Sequence, residues 1–174
     1  MNESNIENEF KLTLEKIGRN VLNFQKLETG FKFLIPRCNI HGNKDTLVDN
    51  FKIQENKQAK KTMGNLVKEY LDNVYLGVNH VNESAFSLQF SVEADEGFII
   101  ERTRALEYLV EQRNLLVHQR LFNLDQTSIS SCRKLCSELD EQNEKIKYEF
   151  EILKGQALSL IEAGKYLVKD NEKL

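Results

Sequence analysis

Apolar residues recur at gaps of three or four over most of the chain, which is the spacing of one face of an α-helix. The first such stripe predicts a long N-terminal helix. A proline disfavours helical dihedral angles in the residue before it, so we expect this helix to end or kink at Pro36. The stripe consists of Phe10, Leu14, Ile17, Val21, Phe24, Leu27, Phe31 and Leu34.

A second helical stretch is expected from about Thr46 to Tyr75, after a loop with Gly42 near its centre. Its middle, QENKQAKK, is polar on every side, so it has no face to bury. The C-terminal part regains an apolar stripe. We therefore expect a weak or broken first half and a firm second half. The later stripe consists of Leu66, Val67, Tyr70, Leu71 and Val74.

The residues near 85–93 follow a different period, because apolar and polar residues alternate strictly there. Such alternation predicts a half-buried β-strand. A lone strand leaves its backbone N–H and C=O groups unpaired. We expect it to pair with the loop near residues 45–53 or with a second copy of the chain. The apolar positions are Phe86, Leu88, Phe90 and Val92.

Two more helices are predicted in the second half of the chain. One runs from about Asp95 to Phe122, and the other begins near Thr127 or Ser128 and continues to about Val168. The apolar stripe of this last helix is interrupted where Gln142 and Asn143 occupy its places. One layer of its packing is therefore expected to be polar.

The scarcity of turn-forming residues decides the fold class. With 1 Pro and 8 Gly among 174 residues, the chain has too few turn-forming residues for a β-sandwich, barrel or propeller. We predict the all-α class, as a bundle of four or five helices with one short strand or small hairpin near residues 85–93. A single domain is expected over residues 1–174.

Charge and hydropathy narrow the functional classes. The net charge is −3, so any contact with nucleic acid has to be local rather than driven by bulk electrostatics. No window of 18 apolar residues predicts a membrane span, and the acidic, polar N-terminus does not resemble a secretory signal. We expect a cytoplasmic protein with reduced cysteines. Cys38 and His41 are too few ligands for a zinc site, so neither metal nor cofactor is expected.

One segment of the predicted third helix, EQRNLLVH from Glu111 to His118, carries most of the candidate chemistry. At 100° per residue, Arg113 falls within the apolar face of this helix. A guanidinium in such a place needs a partner, because an unpaired buried charge is costly. The partner is either Glu107 or Glu28 in a structural ion pair, or a substrate. The other polar residues of the segment form a second stripe beside the apolar one.

This segment resembles the signature of the HEPN superfamily, in which an arginine and a polar residue, often asparagine, precede a histidine. Arg113, Asn114 and His118 match it, with four residues between the arginine and the histidine. The resemblance implies an all-α bundle, metal-independent RNA cleavage at a homodimeric cleft, and a place in toxin–antitoxin, phage-defence or RNA-processing systems. An antitoxin or defence-system partner is then expected. The alternative is a non-catalytic HEPN-like dimer that binds RNA or a partner protein.

The chemistry of the three residues agrees with this implication. RNA carries its own nucleophile, the 2′-hydroxyl, and the imidazole of His118 suits proton transfer to or from it. Arg113 offers a fork of donors to a phosphate, and Asn114 can orient the imidazole. An ideal helix sets Arg113 and His118 about 140° apart around its axis. Two copies related by a two-fold axis are therefore expected to complete the site.

Further residues receive supporting interpretations. Glu111 either supports the site or is simply solvated. Arg120 stands where some HEPN toxins carry a tyrosine that a nucleotidyltransferase modifies, so that regulation is not expected here. We expect Arg120 to add positive charge near the cleft. A last cluster, interpreted either as a contact to the RNA backbone or as a solvated face, consists of Lys57, Lys60 and Lys61 together with Lys68.

Overall fold

The computed structural model describes residues 3–76, 86–120, 122 and 124–171, and it confirms the all-α class with a small antiparallel β-structure. None of the helices in these residues is long and apolar enough to cross a membrane. In chain order the elements are α1 Glu3–Cys38, β1 Asn39–Gly42, α2 Leu47–Ala59, α3 Met63–Val74, β2 Phe86–Gln89, α4 Glu96–Leu115, a π-helical turn Leu116–Arg120, and α5 Ile129–Asn171.

The two longest helices, α1 and α5, run parallel and side by side. Contacts between them advance together along both helices. Glu9 pairs with Arg133 at 2.8 Å, Asn20 donates to the carbonyl of Leu139 at 2.7 Å, and a side chain at position 30 would meet Leu153. At 1.5 Å per residue, α1 is about 54 Å long, so this seam spans the molecule. Buried residues along it include Ile17, Phe24, Leu27, Leu139, Ile146 and Leu153.

Helices α3 and α4 complete the core on this pair. Tyr70 of α3 is fully buried, and its ring lies 5.0 Å from that of Phe31 in α1. The Tyr70 hydroxyl donates to Oε1 of Gln156 in α5 at 2.6 Å. Helix α4 runs antiparallel to α5, because Arg102 near its start pairs with Glu149, whereas Gln112 near its end contacts Gln142, which lies earlier in α5. The core of the bundle therefore sits where α1, α3, α4 and α5 meet.

The predicted strand pairs within the chain, and the expected partners were wrong. Strand β2 is antiparallel to β1, with Ile40 opposite Leu88. The partner precedes residues 45–53 and belongs to this copy. Beyond β2, the backbone N–H of Phe90 donates to the carbonyl of Cys38, and that of Val92 donates to the carbonyl of Val74. The segment thereby satisfies carbonyls at the ends of α1 and α3, which helix geometry leaves open. Residue 85 lies outside the described part.

Gly42 explains where β1 ends. Its φ of +158° is rarely adopted by residues with a side chain, and a Cβ there would lie 3.1 Å from the backbone of Leu47. The chain therefore turns at this glycine and enters α2 directly. The loop predicted around Gly42 is correspondingly shorter than expected, because Asn39–Gly42 is a strand.

Three helix boundaries differ from the predictions. Helix α1 passes through Pro36 and ends at Cys38, since a proline in the last turn removes only one donor. The stretch from Thr46 to Tyr75 is two helices, separated after Ala59. The helix expected to continue to Phe122 loses its α-helical geometry after Leu115. The last helix, by contrast, follows its predicted path, and Gln142 and Asn143 form the expected buried polar layer.

A buried ion pair joins α4 to α5. Arg102 and Glu149 are each only 4% exposed at the side chain, and a guanidinium nitrogen donates to the carboxylate. The free-energy cost of desolvating two such buried charges is offset only by their attraction to each other. This pair fixes the N-terminal half of α4 against α5.

Replacing Arg102 by Ala is expected to lower the free energy of unfolding by about 3–5 kcal/mol, because Glu149 is left as an unpaired buried charge. Replacing both residues together, Arg102→Met with Glu149→Leu, should restore stability to the wild-type level or above. Equilibrium urea denaturation monitored by circular dichroism measures both. A loss below about 1 kcal/mol in the single variant would contradict the pairing.

Candidate functional site

Helix α4 is held so that one face is buried and another is open. Leu106 and Leu109 are 0% and 1% exposed, and Leu116, the first residue of the π-helical turn, is 0% exposed. At its start, the Asp95 carboxylate accepts a hydrogen bond from the backbone N–H of Phe98 at 2.9 Å, which caps the helix. The side of α4 away from these leucines borders α3 and stays accessible.

A groove of about 730 Å³ lies between α3 and α4. Its floor is apolar and its rims are polar. The motif contributes Asn114 and His118 from α4 and the turn that follows. The floor and rims are otherwise formed by Gly64, Val67, Lys68, Leu71, Asp72, Leu76, Thr103, Glu107, Val110, Glu111, Leu115 and Gln119.

The structure brings three of the sequence-predicted site residues to this groove. Glu111, Asn114 and His118 all line it, and all three side chains are exposed. They follow one another at gaps of three and four, so they share one helical face. A histidine and an amide presented together to solvent are available to a ligand rather than used up in the core.

Arg113 lies beside the groove and not in its lining. The side chain is half-buried, and its Nη1 donates to Oδ1 of Asn114 at 3.2 Å. Among the described residues it makes no ion pair, and Glu28 pairs instead with Lys32 at 2.7 Å. The structural pairing of Arg113 with Glu28 or Glu107 is therefore not found in that part of the chain. The guanidinium instead reaches the amide that faces the groove.

His118 sits within the π-helical turn Leu116–Arg120. This turn continues directly from the end of α4 and is not enclosed by α-helix on both sides. Arg120 closes this turn and is directed to α5: its Nη1 pairs with Oε2 of Glu138 at 2.9 Å, and its Nη2 donates to Oε1 of Gln112 at 3.4 Å. Arg120 thus anchors the turn and does not line the groove.

The charges around the groove are mostly negative. Asp72, Glu107 and Glu111 face a single lysine, Lys68. Of the lysines interpreted from the sequence, Lys68 lines the groove and the other three lie elsewhere. Lys57 lines a separate cavity of about 270 Å³, Lys60 is exposed at the end of α2, and Lys61 pairs with Glu69. The structure therefore does not gather those three lysines at the groove.

The described residues also bear on metal binding and on cysteine reactivity. They contain no group of three or more histidine, cysteine, aspartate or glutamate side chains that could hold a metal ion. The three cysteines are unpaired and buried. Burial raises the pKa of Cys38 to about 12, so its thiol stays protonated at neutral pH and is a poor nucleophile.

Sequence reasoning named Lys68 only as part of a lysine cluster and did not place α3 beside the motif. Lys68 and Asp72 face the motif across the groove, although about 45 residues separate them from it along the chain. Their spacing on α3 gave no sign of this. Gln112 was also missed, since a glutamine between a glutamate and an arginine carries no distinctive pattern.

Because the side chains of Asn114 and His118 are exposed, they should contribute little to the free energy of unfolding. We expect His118→Ala and Asn114→Ala to leave the free energy of unfolding within about 0.5 kcal/mol of wild type. Leu116→Ala, in the same stretch, should cost about 2–5 kcal/mol because it opens a cavity in the core. Urea denaturation of the three variants provides the comparison. A large loss of stability in either motif variant would make the motif structural.

The chain was compared with protein-family models, curated proteins and solved structures, and no match was found.

Proposed function

We propose that this protein is a metal-independent endoribonuclease of HEPN type. The observation that supports this most is that Asn114 and His118 are exposed on one groove while the guanidinium of Arg113 donates to Asn114. Asn114 thus shares the groove with His118 and contacts Arg113, and the side chains of Asn114 and His118 are exposed.

The reaction is transesterification by the substrate's own 2′-hydroxyl. One imidazole nitrogen of His118 takes the proton as the 2′-oxygen attacks phosphorus, or an imidazolium gives a proton to the departing 5′-oxygen. The bond from phosphorus to the 5′-oxygen breaks, leaving a 2′,3′-cyclic phosphate. Arg113 holds the phosphate oxygens as negative charge builds up, and Asn114 orients the imidazole or the phosphate. Glu111 has a supporting role on the rim.

We propose a homodimer as the active form. Arg113 lies beside the groove of its own copy, so a second α4 next to it would let each phosphate meet groups from both chains. Phe122, close to the motif, is 87% exposed, and Leu76 on the groove rim is 58% exposed. Exposed apolar side chains beside a polar site are typical of surfaces that a partner covers. The proposed setting is a toxin or defence effector with an RNA substrate and an antitoxin or defence-system partner.

Cleavage without metal tests this proposal. Wild-type protein incubated with RNA in EDTA should produce fragments that end in 2′,3′-cyclic phosphate. His118→Ala should reduce the rate by about 10²–10⁴-fold, as expected for loss of a general acid or base, without changing the oligomeric state. The measurement is sequencing of the cleavage ends in total RNA, together with a gel assay.

His41→Asn serves as the matched control. It removes an imidazole from β1, outside the groove, and should leave the cleavage rate within about threefold of wild type, the range of small effects at sites away from the chemistry. Equal cleavage by wild type and His118→Ala would contradict the catalytic assignment.

A second function is favoured by the charges of the groove. Three carboxylates over an apolar floor suit a cationic amphipathic segment of a partner protein better than a phosphate backbone. In this alternative the protein is a non-catalytic HEPN-like dimer, and the exposed histidine and amide are contacts to the partner.

Removing the negative charges of Asp72 and Glu107 on the groove rims distinguishes RNA cleavage from partner binding. If RNA enters the groove, Asp72→Asn with Glu107→Gln should tighten RNA binding by roughly fivefold for each charge that lies close to a phosphate. Fluorescence anisotropy with a labelled, uncleavable 2′-O-methyl RNA measures the dissociation constant. Glu144→Gln with Glu151→Gln changes the net charge equally on α5, and it controls for non-specific attraction. The same affinity in both double variants would favour the partner-binding function.

A further inference from the structure

A buried polar layer crosses the seam between α1 and α5. Gln142 and Asn143 are each 3% exposed, and Asn20 on α1 is 0% exposed. Nδ2 of Asn20 donates to Oε1 of Gln142 at 2.9 Å, and Nδ2 of Asn23 donates to Oδ1 of Asn143 at 2.8 Å. Polar groups in such a place do not supply the stability that apolar packing would. Their directional bonds instead select one arrangement of the helices.

The two amides of this layer have different further partners. The Asn143 amide nitrogen turns back to its neighbour Glu144, at 3.5 Å. That of Gln142 donates across the bundle to Oε1 of Gln112 in α4, also at 3.5 Å. The same Gln112 oxygen accepts from Arg120 in the π-helical turn. Among the described residues, Gln142 is therefore the member of the layer that connects it to the helix that carries the motif.

The result is one continuous chain of polar contacts. It begins at Asn20, passes through Gln142 to Gln112, and ends at Arg120, which is paired with Glu138. Gln112 is the residue before Arg113. Its two contacts, to α5 and to the turn, lie on the opposite side of α4 from the groove. The polar contacts that join this end of α4 to α5 are the bond from Gln142 to Gln112 and the ion pair of Arg120 with Glu138.

Apolar packing alone leaves this rotation poorly defined. The C-terminal half of α4 and the turn after it are buried chiefly through Leu106, Leu109 and Leu116, and contacts between leucines tolerate small rotations of a helix. Hydrogen bonds are directional, so a rotated α4 would break the bond from the Gln142 amide nitrogen to Oε1 of Gln112.

We propose that Gln142 is a positioning residue of the candidate site. Through Gln112 and Arg120 it holds the end of α4 and the π-helical turn in the rotation that presents Asn114 and His118 to the groove. The catalytic consequence rests on the proposed ribonuclease function, whereas the positional consequence does not.

The test compares Gln142→Leu with Asn143→Leu. Both changes replace a buried amide in the same layer, but only the first breaks the link to α4. We expect Gln142→Leu to fold with moderately lower thermal stability, because the buried Asn20 amide loses one acceptor. It should also shift the imidazole NMR signals of His118 and lower kcat for RNA cleavage at least tenfold with little change in KM. Asn143→Leu should leave the His118 signals and kcat close to wild type.

Further variants keep the test decisive. Gln112→Met cuts the same bond from the half-buried α4 side, so it replaces Gln142→Leu if that variant fails to fold. The His118 signals are assigned by their loss in His118→Ala. Unchanged His118 signals after the link is cut, or equal shifts in Asn143→Leu, would overturn the proposal. If wild type cleaves no RNA, the proposed function fails, and the NMR comparison still decides the positional claim.

Discussion

The parallel packing of α1 against α5 is the constraint on which the rest of the structure depends. Two helices that run in the same direction cannot be joined by a short turn, so the whole middle of the chain has to return between them. That return supplies α3, α4 and the small β-structure. Because α4 is the antiparallel element of the return, it lies against α5 on one side and faces α3 on the other. The groove exists because α3 and α4 meet only along part of their surfaces.

The sequence predicted what depends on local periodicity. The apolar stripes of α3 and α5 became buried faces, as did that of α1 except at Leu14, which is 43% exposed. The gap at Gln142 became a polar layer. Strand β1 was missed because Asn-Ile-His-Gly has no alternation, and its pairing depends on where α1 ends. The ion pair of Arg102 with Glu149 joins residues 47 apart on different helices, which periodicity does not reveal. The motif was predicted to be functional from residue types alone, and its exposure could be learned only from the fold.

The candidate site combines functional groups suited to RNA cleavage with an electrostatic field that is unfavourable for binding RNA. Histidine, amide and guanidinium lie within one short stretch, as phosphodiester cleavage requires, yet carboxylates outnumber the lysine on the groove rims. An acidic rim weakens non-specific attraction of RNA, because affinity for nucleic acid depends strongly on phosphate contacts with basic residues. Under the proposed function, this protein would bind RNA weakly unless a second copy or a partner adds positive charge. A weakly binding nuclease that becomes effective on assembly is consistent with a regulated effector.

NMR titration of the protein with a 2′-O-methyl RNA oligonucleotide tests the central claim, that RNA meets His118 in the groove between α3 and α4, most directly. This RNA lacks the attacking hydroxyl, so it binds without being cleaved. The account predicts that the imidazole signals of His118 and the side-chain amide signals of Asn114 shift together and saturate at the same RNA concentration. Shifts confined to the surface around Lys57, or no shift at His118 at saturating RNA, would contradict it.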